Sequence, residues 1–375
     1  MIIAANTRLL LKDRLEGIGW FSYETLKRIT NQHPEHTFLF LFDRPYDPGF
    51  IFSENIIPLV IAPRTRHPLL WYTWFEWSLP RILEKHRASL FFSPDGYMPL
   101  GLKIPSLIAI HDINFHHRPG DLPPSSRYYY RKYFPLFASH ADRIVTVSEY
   151  SRKDIANSYG ISPDKIDVVY NGVNQIFKPL KQEFVARVRN DYTGDMPYYL
   201  FVGSFHPRKN LARLMKAFDL FRDQSPGTYK LVIVGEKMFM TGDMDKTYAK
   251  LNHKEDIVFT GRLSPEKLCD VMGAASGLTF VPLFEGFGIP LLEAMNCDIP
   301  ILTSNVTSLP EIAGKAAIYC DPLDIQDIAK GMISLATQPD LQKALVSEGR
   351  IRRESFSWDL TADKVWRSLL NVIPG

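Results

Sequence analysis

The sequence predicts an α/β protein of two doubly wound domains, each a mostly parallel sheet with helices on both faces. Short apolar runs rich in Val, Ile and Phe recur along the whole chain, with longer and more charged segments between them. The runs are continuous rather than alternating, as strands buried on both faces require. A length of 375 residues exceeds the usual single core and fits two domains of roughly 150–200 residues.

In the first half the strand-like runs are IIAAN (2–6), FLFLFD (38–43), SLFFSP (89–94), PSLIAIHD (105–112), RIVTVS (143–148) and DVVYNG (167–172). The second half repeats the pattern with YYLFVGS (198–204), YKLVIVGE (229–236), DIVFTGR (256–262), GLTFVPL (277–283), PILTSN (300–305) and AAIYCDP (316–322). Alternation of such strands with helical segments defines the doubly wound class. Between the halves, NGVNQIFKPLKQEF (171–184) carries Gly172 and Pro179 and reads as a linker. Near the end, Leu360, Val365, Leu369 and Val372 recur at helical intervals behind a Ser357 cap, which predicts a last helix within 356–373.

Composition narrows the function. Hydrophobic residues at 45% and charged residues at 23% describe a globular chain rather than a disordered one. With 44 Lys and Arg against 41 Asp and Glu, a net charge of +3 gives no footprint for nucleic acid, so any phosphate binding is local. Cys269, Cys297 and Cys320 are odd in number and widely spaced, which argues against a disulfide framework or a zinc site and for buried thiols in a reducing compartment. The start MIIAANTRLL lacks the pattern of a signal peptide, and no run approaches about 18 apolar residues, so a soluble cytoplasmic protein is expected.

Two strand ends carry the chemistry. After GLTFVPL come Glu285, Gly286, Phe287, Gly288 and Ile289, then Pro290, which suits the first turn of a helix. The glycines let backbone amides approach a ligand, and a helix N-terminus favours an anion or a strong acceptor. An acid in the first helical turn complements the dipole, which accounts for Glu293 but not for Glu285 as well. Carboxylates accept from hydroxyls while amides donate to hydroxyl or phosphate oxygens, and a sugar nucleotide offers both groups. In FVGSFHPRKNLARLMKAF (201–218) a strand ends at Gly203 and Ser204. A helix then starts near Asn210, with Leu211, Leu214, Met215 and Phe218 on one face. Arg208 and Lys209 at that start are badly placed for the helix dipole unless an anion is also present. A diphosphate resolves the conflict.

The first half adds weaker signals. His111 and Asp112 fall at the end of the run PSLIAI, a ligand position in open parallel sheets. His116, His117 and Asp112 match no standard ligand spacing, so no metal is assigned. Gly17 and Gly19 precede a helix, but without the third glycine of the dinucleotide fingerprint.

These residues resemble the retaining GT-B glycosyltransferases of family GT4, a group that contains many bacterial mannosyltransferases. EGFGIPLLEAM (285–295) is similar to that family's E-x7-E motif. FVGSFHPRKNL (201–211), VVYNGVN (168–174), TVSEYS (146–151), SLPEIAG (308–314) and the N-terminal GIG follow in the family's order. The resemblance implies two Rossmann-like domains facing across a cleft, 1–175 on the acceptor side and 176–355 holding the nucleotide-sugar, with 356–375 crossing back to the first. It implies that Arg208 and Lys209 bind the donor diphosphate and that Glu293 binds the ribose. Glu285, with the amides of Phe287 and Gly288, would hold the hexose. Gly17 and Gly19 would let the N-terminal loop near the phosphates, and His111 would lie against donor sugar and attacking hydroxyl. Gly203, Ser204, Gly286 and Ile289 complete the implied donor set. Many members have Arg where this chain has Ser204, which shifts the phosphate grip toward Arg208.

No metal or cofactor is expected, because this fold class neutralises the diphosphate with basic side chains and helix N-termini. Retention without an evident nucleophile suggests front-face attack, with the leaving phosphate accepting the proton. GDP-mannose is the first donor expectation and UDP-sugars stay open. The aromatic and basic segments 67–87 and 127–134 suit either a membrane interface presenting a lipid-linked glycan or a packed core. Peripheral contact at the inner face of the plasma membrane is therefore a further expectation. A nucleotide-sugar 2-epimerase and a non-catalytic sugar-nucleotide binder are the competing readings.

Overall fold

The structure is a computed structural model that describes residues 1–225, 227–236 and 242–373. The chain forms two compact units. Met1–Gly172 joins with the C-terminal segment that begins at Ser357 to form the first, and Val173–Phe356 forms the second.

The first unit holds a seven-stranded sheet of β1 (Ile2–Asn6), β2 (Thr37–Phe42), β3 (Ile56–Val60), β4 (Leu90–Ser93), β5 (Ser106–Ala109), β6 (Arg143–Thr146) and β7 (Ile166–Val168). Its order is β3-β2-β1-β4-β5-β6-β7 and every pairing is parallel. Strand periodicity explains the continuous apolar runs. Ala4, Leu39 and Leu41 point into one core with Phe91, Ile108 and Ile144. Their neighbours Ile3, Ala5, Phe38, Phe40 and Phe42 point into the other. Both faces are buried, and polar residues on the central strands such as Asn6, Ser93, Ser106 and Thr146 are buried with them.

β3 is absent from the strands read in the sequence. Pro58 interrupts the run IIPLV, and Ile57 and Val60 are 44% and 53% exposed. The strand lies at the sheet edge, where a residue without an N–H is tolerated because one side of the backbone has no partner.

The second core of the first unit is closed by the Gly17–Gln32 helix and by the last helix, Trp358–Leu370. Ser357 caps the latter by accepting from the Leu360 amide, as its sequence suggests. Its buried face is Trp358, Thr361, Ala362, Val365, Ser368 and Leu369, whereas Leu360 is 49% exposed. The i, i+3, i+4 spacing that starts at Trp358 places Leu360 off the buried stripe. Thr361 Oγ1 donates to the Tyr170 carbonyl at 2.6 Å, and Ser368 Oγ to Asp167 at 2.7 Å.

The second unit repeats the architecture with six strands, β8 (Tyr198–Val202), β9 (Lys230–Val234), β10 (Ile257–Gly261), β11 (Gly277–Phe280), β12 (Ile301–Ser304) and β13 (Ala317–Cys320). Their order is β10-β9-β8-β11-β12-β13, again all parallel. Leu211, Leu214, Met215, Phe218 and Phe221 of the Leu211–Gln224 helix pack on Tyr199, Phe201, Leu231 and Ile233. In each unit the strand order reverses beside the first strand, and ligands of open α/β sheets bind at the carboxyl ends there. For the second unit that position lies between the loops after β8 and β11. All three cysteines are buried and free.

Candidate active site

The loop after β8 begins at Gly203, whose amide donates to the Val234 carbonyl, and passes Ser204. It packs against the exit of β9 at Gly235 (φ +157°), where a Cβ would lie 1.9 Å from the Gly203 carbonyl oxygen. Only glycine fits that contact. Pro207–Lys209 then forms a single 3-10 turn, capped by the His206 ring accepting from the Arg208 amide at 3.2 Å.

Asn210 follows in the left-handed region (φ +64°), which Asn tolerates better than most residues. Its side chain is buried. Nδ2 donates to Val281 O at 3.0 Å and Pro322 O at 2.7 Å, while Oδ1 accepts from Arg213 at 3.0 Å. The loop is thereby tied to the ends of β11 and β13. A further bond from Leu283 N to Arg208 O at 2.7 Å joins the two site loops directly.

These ties bring Arg208 and Lys209 onto Glu285. Lys209 Nζ lies 2.6 Å from Glu285 Oε1 and 4.8 Å above the Phe280 ring. Arg208 Nη1 donates to Glu285 Oε1 and to the Phe284 carbonyl at 3.1 Å. Burial pushes the Glu285 carboxyl up, but the charges and hydrogen bonds of Arg208 and Lys209 prevail and hold it below its ordinary range. The backbone of Glu285 is held as well, since Ser308 Oγ donates to its carbonyl at 2.9 Å and its amide donates to Thr307 Oγ1 at 3.4 Å.

Gly286, Phe287 and Gly288 lead into the Ile289–Asn296 helix, which has Pro290 in its first turn. Gly288 takes φ +96°, and a Cβ there would meet Leu309 Cδ2 at 2.8 Å. Glu293 is the fifth residue of this helix and lies beyond its first turn, so the dipole does not explain it. Burial, with a smaller contribution from Cys269, pushes its carboxyl up to about 7 against the pull of Lys209.

The other predicted residues belong to the first unit. Gly17 and Gly19 form the first turn of the Gly17–Gln32 helix rather than a loop before it, and Gly19 is buried. Phe21 of that helix meets the His111 ring edge to face at 4.7 Å. His111 Nε2 lies 2.8 Å from the Pro94 carbonyl. A carbonyl only accepts, so Nε2 carries the proton and Nδ1 is the acceptor. Burial lowers the His111 pKa, which keeps the ring neutral at pH 7. Among the described residues, no group of three or more His, Cys, Asp or Glu side chains could hold a metal ion. The aromatic segments divide between the two alternatives. Trp74, Phe75, Tyr129 and Phe134 are core, whereas Leu69, Trp77 and Tyr128 are 66%, 59% and 65% exposed.

Sequence reasoning did not find Asn210, Thr307 or Ser308. Ser308 lay in view in SLPEIAG, and its partner at Glu285 is 23 positions away.

Two parallel-sheet units, each with its strand order reversing beside its first strand, are the architecture of the GT-B fold. Residues 16–175 match the family described as Glycosyltransferase Family 4, and residues 185–352 match Glycosyl transferases group 1. The chain belongs to this family. It is 26% identical over 367 residues to O-antigen chain mannosyltransferase B of Escherichia coli, covering 93% of this chain and 94% of that one. It is 26% identical over 289 residues to O-antigen chain mannosyltransferase RfbU of Salmonella typhimurium, covering 76% of each. A sucrose-phosphate synthase of Thermosynechococcus elongatus shares the fold with a TM-score of 0.79 at 17% identity, over 99% of this chain and 100% of that one. Anabaena HepE, in complex with UDP-glucose, does so with a TM-score of 0.76 at 16% identity and the same coverage.

Proposed function

We propose that this glycosyltransferase moves a hexose from a nucleotide-sugar to a glycan or lipid-linked glycan in cell-surface polysaccharide synthesis, with retention of configuration. GDP-mannose is the assigned donor. The observation that carries this reading is the convergence of Arg208 and Lys209 on Glu285 where the strand order of the second unit reverses. The relatives named O-antigen mannosyltransferases support mannose, and HepE with UDP-glucose supports a nucleotide-sugar as the donor class.

In this reading the donor diphosphate comes to Arg208 and Lys209, whose two positive charges stabilise it as it leaves. Stabilisation of this kind is usually the largest single contribution to enzyme catalysis. The cations meet the need for positive charge, so the reading requires no metal. Engaged by the phosphates, they release Glu285 to accept hydroxyls of the hexose, while the amides of Phe287 and Gly288 donate to it. Glu293 takes the ribose. The first unit contributes Gly17, Gly19 and the neutral His111, whose Nδ1 accepts from a hydroxyl. Glu285 is the carboxylate nearest these cations and is held by both, which favours front-face attack over a covalent intermediate, with the leaving phosphate taking the proton.

Among the described residues no helix is long and apolar enough to cross a membrane. The exposed Leu69, Trp77 and Tyr128 support peripheral attachment at the cytoplasmic leaflet. The test is thermal melting with GDP, UDP, GDP-mannose and UDP-glucose, followed by product NMR with the acceptor. Greater stabilisation by GDP-mannose and an α-linked product are expected. Stabilisation by UDP-sugars alone, or an inverted product, would overturn the assignment.

A further inference from the structure

On the first unit, a second concentration of charge lies at the carboxyl edge of the sheet, and none of its arginines is assigned a role above. Asp43 directly follows β2 and is buried. Its carboxylate takes Arg44 in a two-pronged contact, Nε at 2.6 Å and Nη2 at 2.8 Å. The same carboxylate accepts from Thr65 through both its amide, at 2.8 Å, and its hydroxyl. The loop after β2 and the loop after β3 are therefore fastened to one acid.

Thr65 is buried by this anchoring, and Arg64 and Arg66 stand exposed on either side of it. Arg8, two residues beyond β1, reaches Thr65 Oγ1 at 3.4 Å, but its own charge is answered by Asp95 at 2.6 Å. Around Thr65 there are thus four guanidinium groups, Arg8, Arg44, Arg64 and Arg66, and two carboxylates, Asp43 and Asp95. Arg64 and Arg66 have no carboxylate partner among the described residues. Desolvation and the like charges of Arg44 and Arg66 push the Arg64 guanidinium below its usual value, and Asp43 offsets only part of this.

We propose that Arg44, Arg64 and Arg66 form an anion-binding site that takes a phosphate or diphosphate group. Guanidinium forks match tetrahedral oxyanions through paired hydrogen bonds, and an anion at this point would remove the mutual repulsion. The carboxyl edge of a parallel sheet is also where open α/β folds hold ligands. The proposal deepens the transferase reading and rests on it in one respect, that the anion belongs to the acceptor or to the leaflet presenting it.

The experiment uses the full chain saturated with GDP, so that a phosphate site on the second unit is occupied. It is titrated with inorganic pyrophosphate by calorimetry, and its flotation with phosphatidylcholine vesicles containing phosphatidic acid is measured beside this. Arg64→Ser/Arg66→Ser and Arg64→Lys/Arg66→Lys variants are compared with wild type. The serine pair is expected to melt as wild type does and to lose at least about tenfold in pyrophosphate affinity, with partial recovery in the lysine pair. Loss of pyrophosphate binding supports a discrete phosphate site. Vesicle binding without pyrophosphate binding, abolished in the serine pair, assigns the same chemistry to a lipid headgroup. Equal behaviour of wild type and the serine pair toward both probes overturns the proposal. GDP affinity, measured in the same samples, reports on the donor reading separately and is expected to be the same in every variant.

Discussion

Replacing Glu293 by Gln should stabilise the second unit at alkaline pH while weakening donor binding. In the folded chain the Glu293 carboxyl titrates at about 7, against about 4.5 when solvated. Between these values the folded state keeps a proton that the unfolded state has released, so stability falls as pH rises and levels off above about 7. At about 1.4 kcal/mol per pH unit, the interval amounts to about 3 kcal/mol. Gln stands in for the neutral acid at every pH. Glu293→Gln should therefore match wild type near pH 4.5 and exceed it by about 3 kcal/mol at pH 8, or about 6–12 °C in melting temperature for a unit of this size. The assay is thermal melting of both proteins at a series of pH values. Their difference is the useful quantity, because burial lowers the pKa of His36, His111 and His116, and stability from those groups runs the other way, rising with pH up to about 6.5. At pH 8, where the wild-type carboxyl is charged, GDP-mannose affinity of the same variant should fall about tenfold, as a charged acceptor becomes a neutral one. Parallel melting curves for the two proteins from about pH 5 to about pH 8.5 would refute the buried-charge argument.

Lys209→Ala should reduce turnover at least about a hundredfold, and wild-type rates from the folded variant would remove Lys209 from the phosphate site. Glu285→Ala leaves the buried Lys209 and the half-buried Arg208 without their shared carboxylate and should cost about 3–5 kcal/mol in denaturant unfolding at pH 7. Since the Glu285 pKa is depressed, that difference should shrink as pH falls through its folded value, below about 4.5, and a difference that grows in acid would contradict it. Gly235→Ala drives a methyl group into the Gly203 carbonyl and should cost at least about 2 kcal/mol. An unchanged melting temperature would show that the exits of β8 and β9 are not in contact.

Much of this was legible in the chain because both domains bury their strands on two faces, which writes them as uninterrupted apolar runs. Eleven of those runs needed only that rule, and the remaining one, DVVYNG (167–172), kept just Asp167 and Val168 in β7, Ile166–Val168, before the chain turned away. β3 escaped because an edge strand is allowed a proline and exposed side chains, which are the signals that normally end a strand. The loops of the site were visible for the same reason as the strands, since glycine, proline and charge cluster where parallel strands end. Their meeting was not. Glu285 is 77 positions from Arg208, and reading the two motifs separately assigned acids to one end of a ligand and cations to its middle, with no hint that the groups touch. Likewise the amide of Asn210 acts on carbonyls 71 and 112 positions away, and no local pattern encodes such a reach.

The return of the last helix to the first unit sets the order in which the protein can be completed. Val173–Phe356 is one continuous stretch, so on the ribosome the second domain has all its residues before the first has its final helix. Until Trp358, Ala362, Val365 and Leu369 emerge, Phe21 and the helix that carries it keep an open apolar face, although they were made more than 300 residues earlier. Domains usually mature in the order of synthesis. Here the part made first is finished last, and a nascent chain stalled near residue 356 would present chaperones with a complete second domain and an unclosed first one.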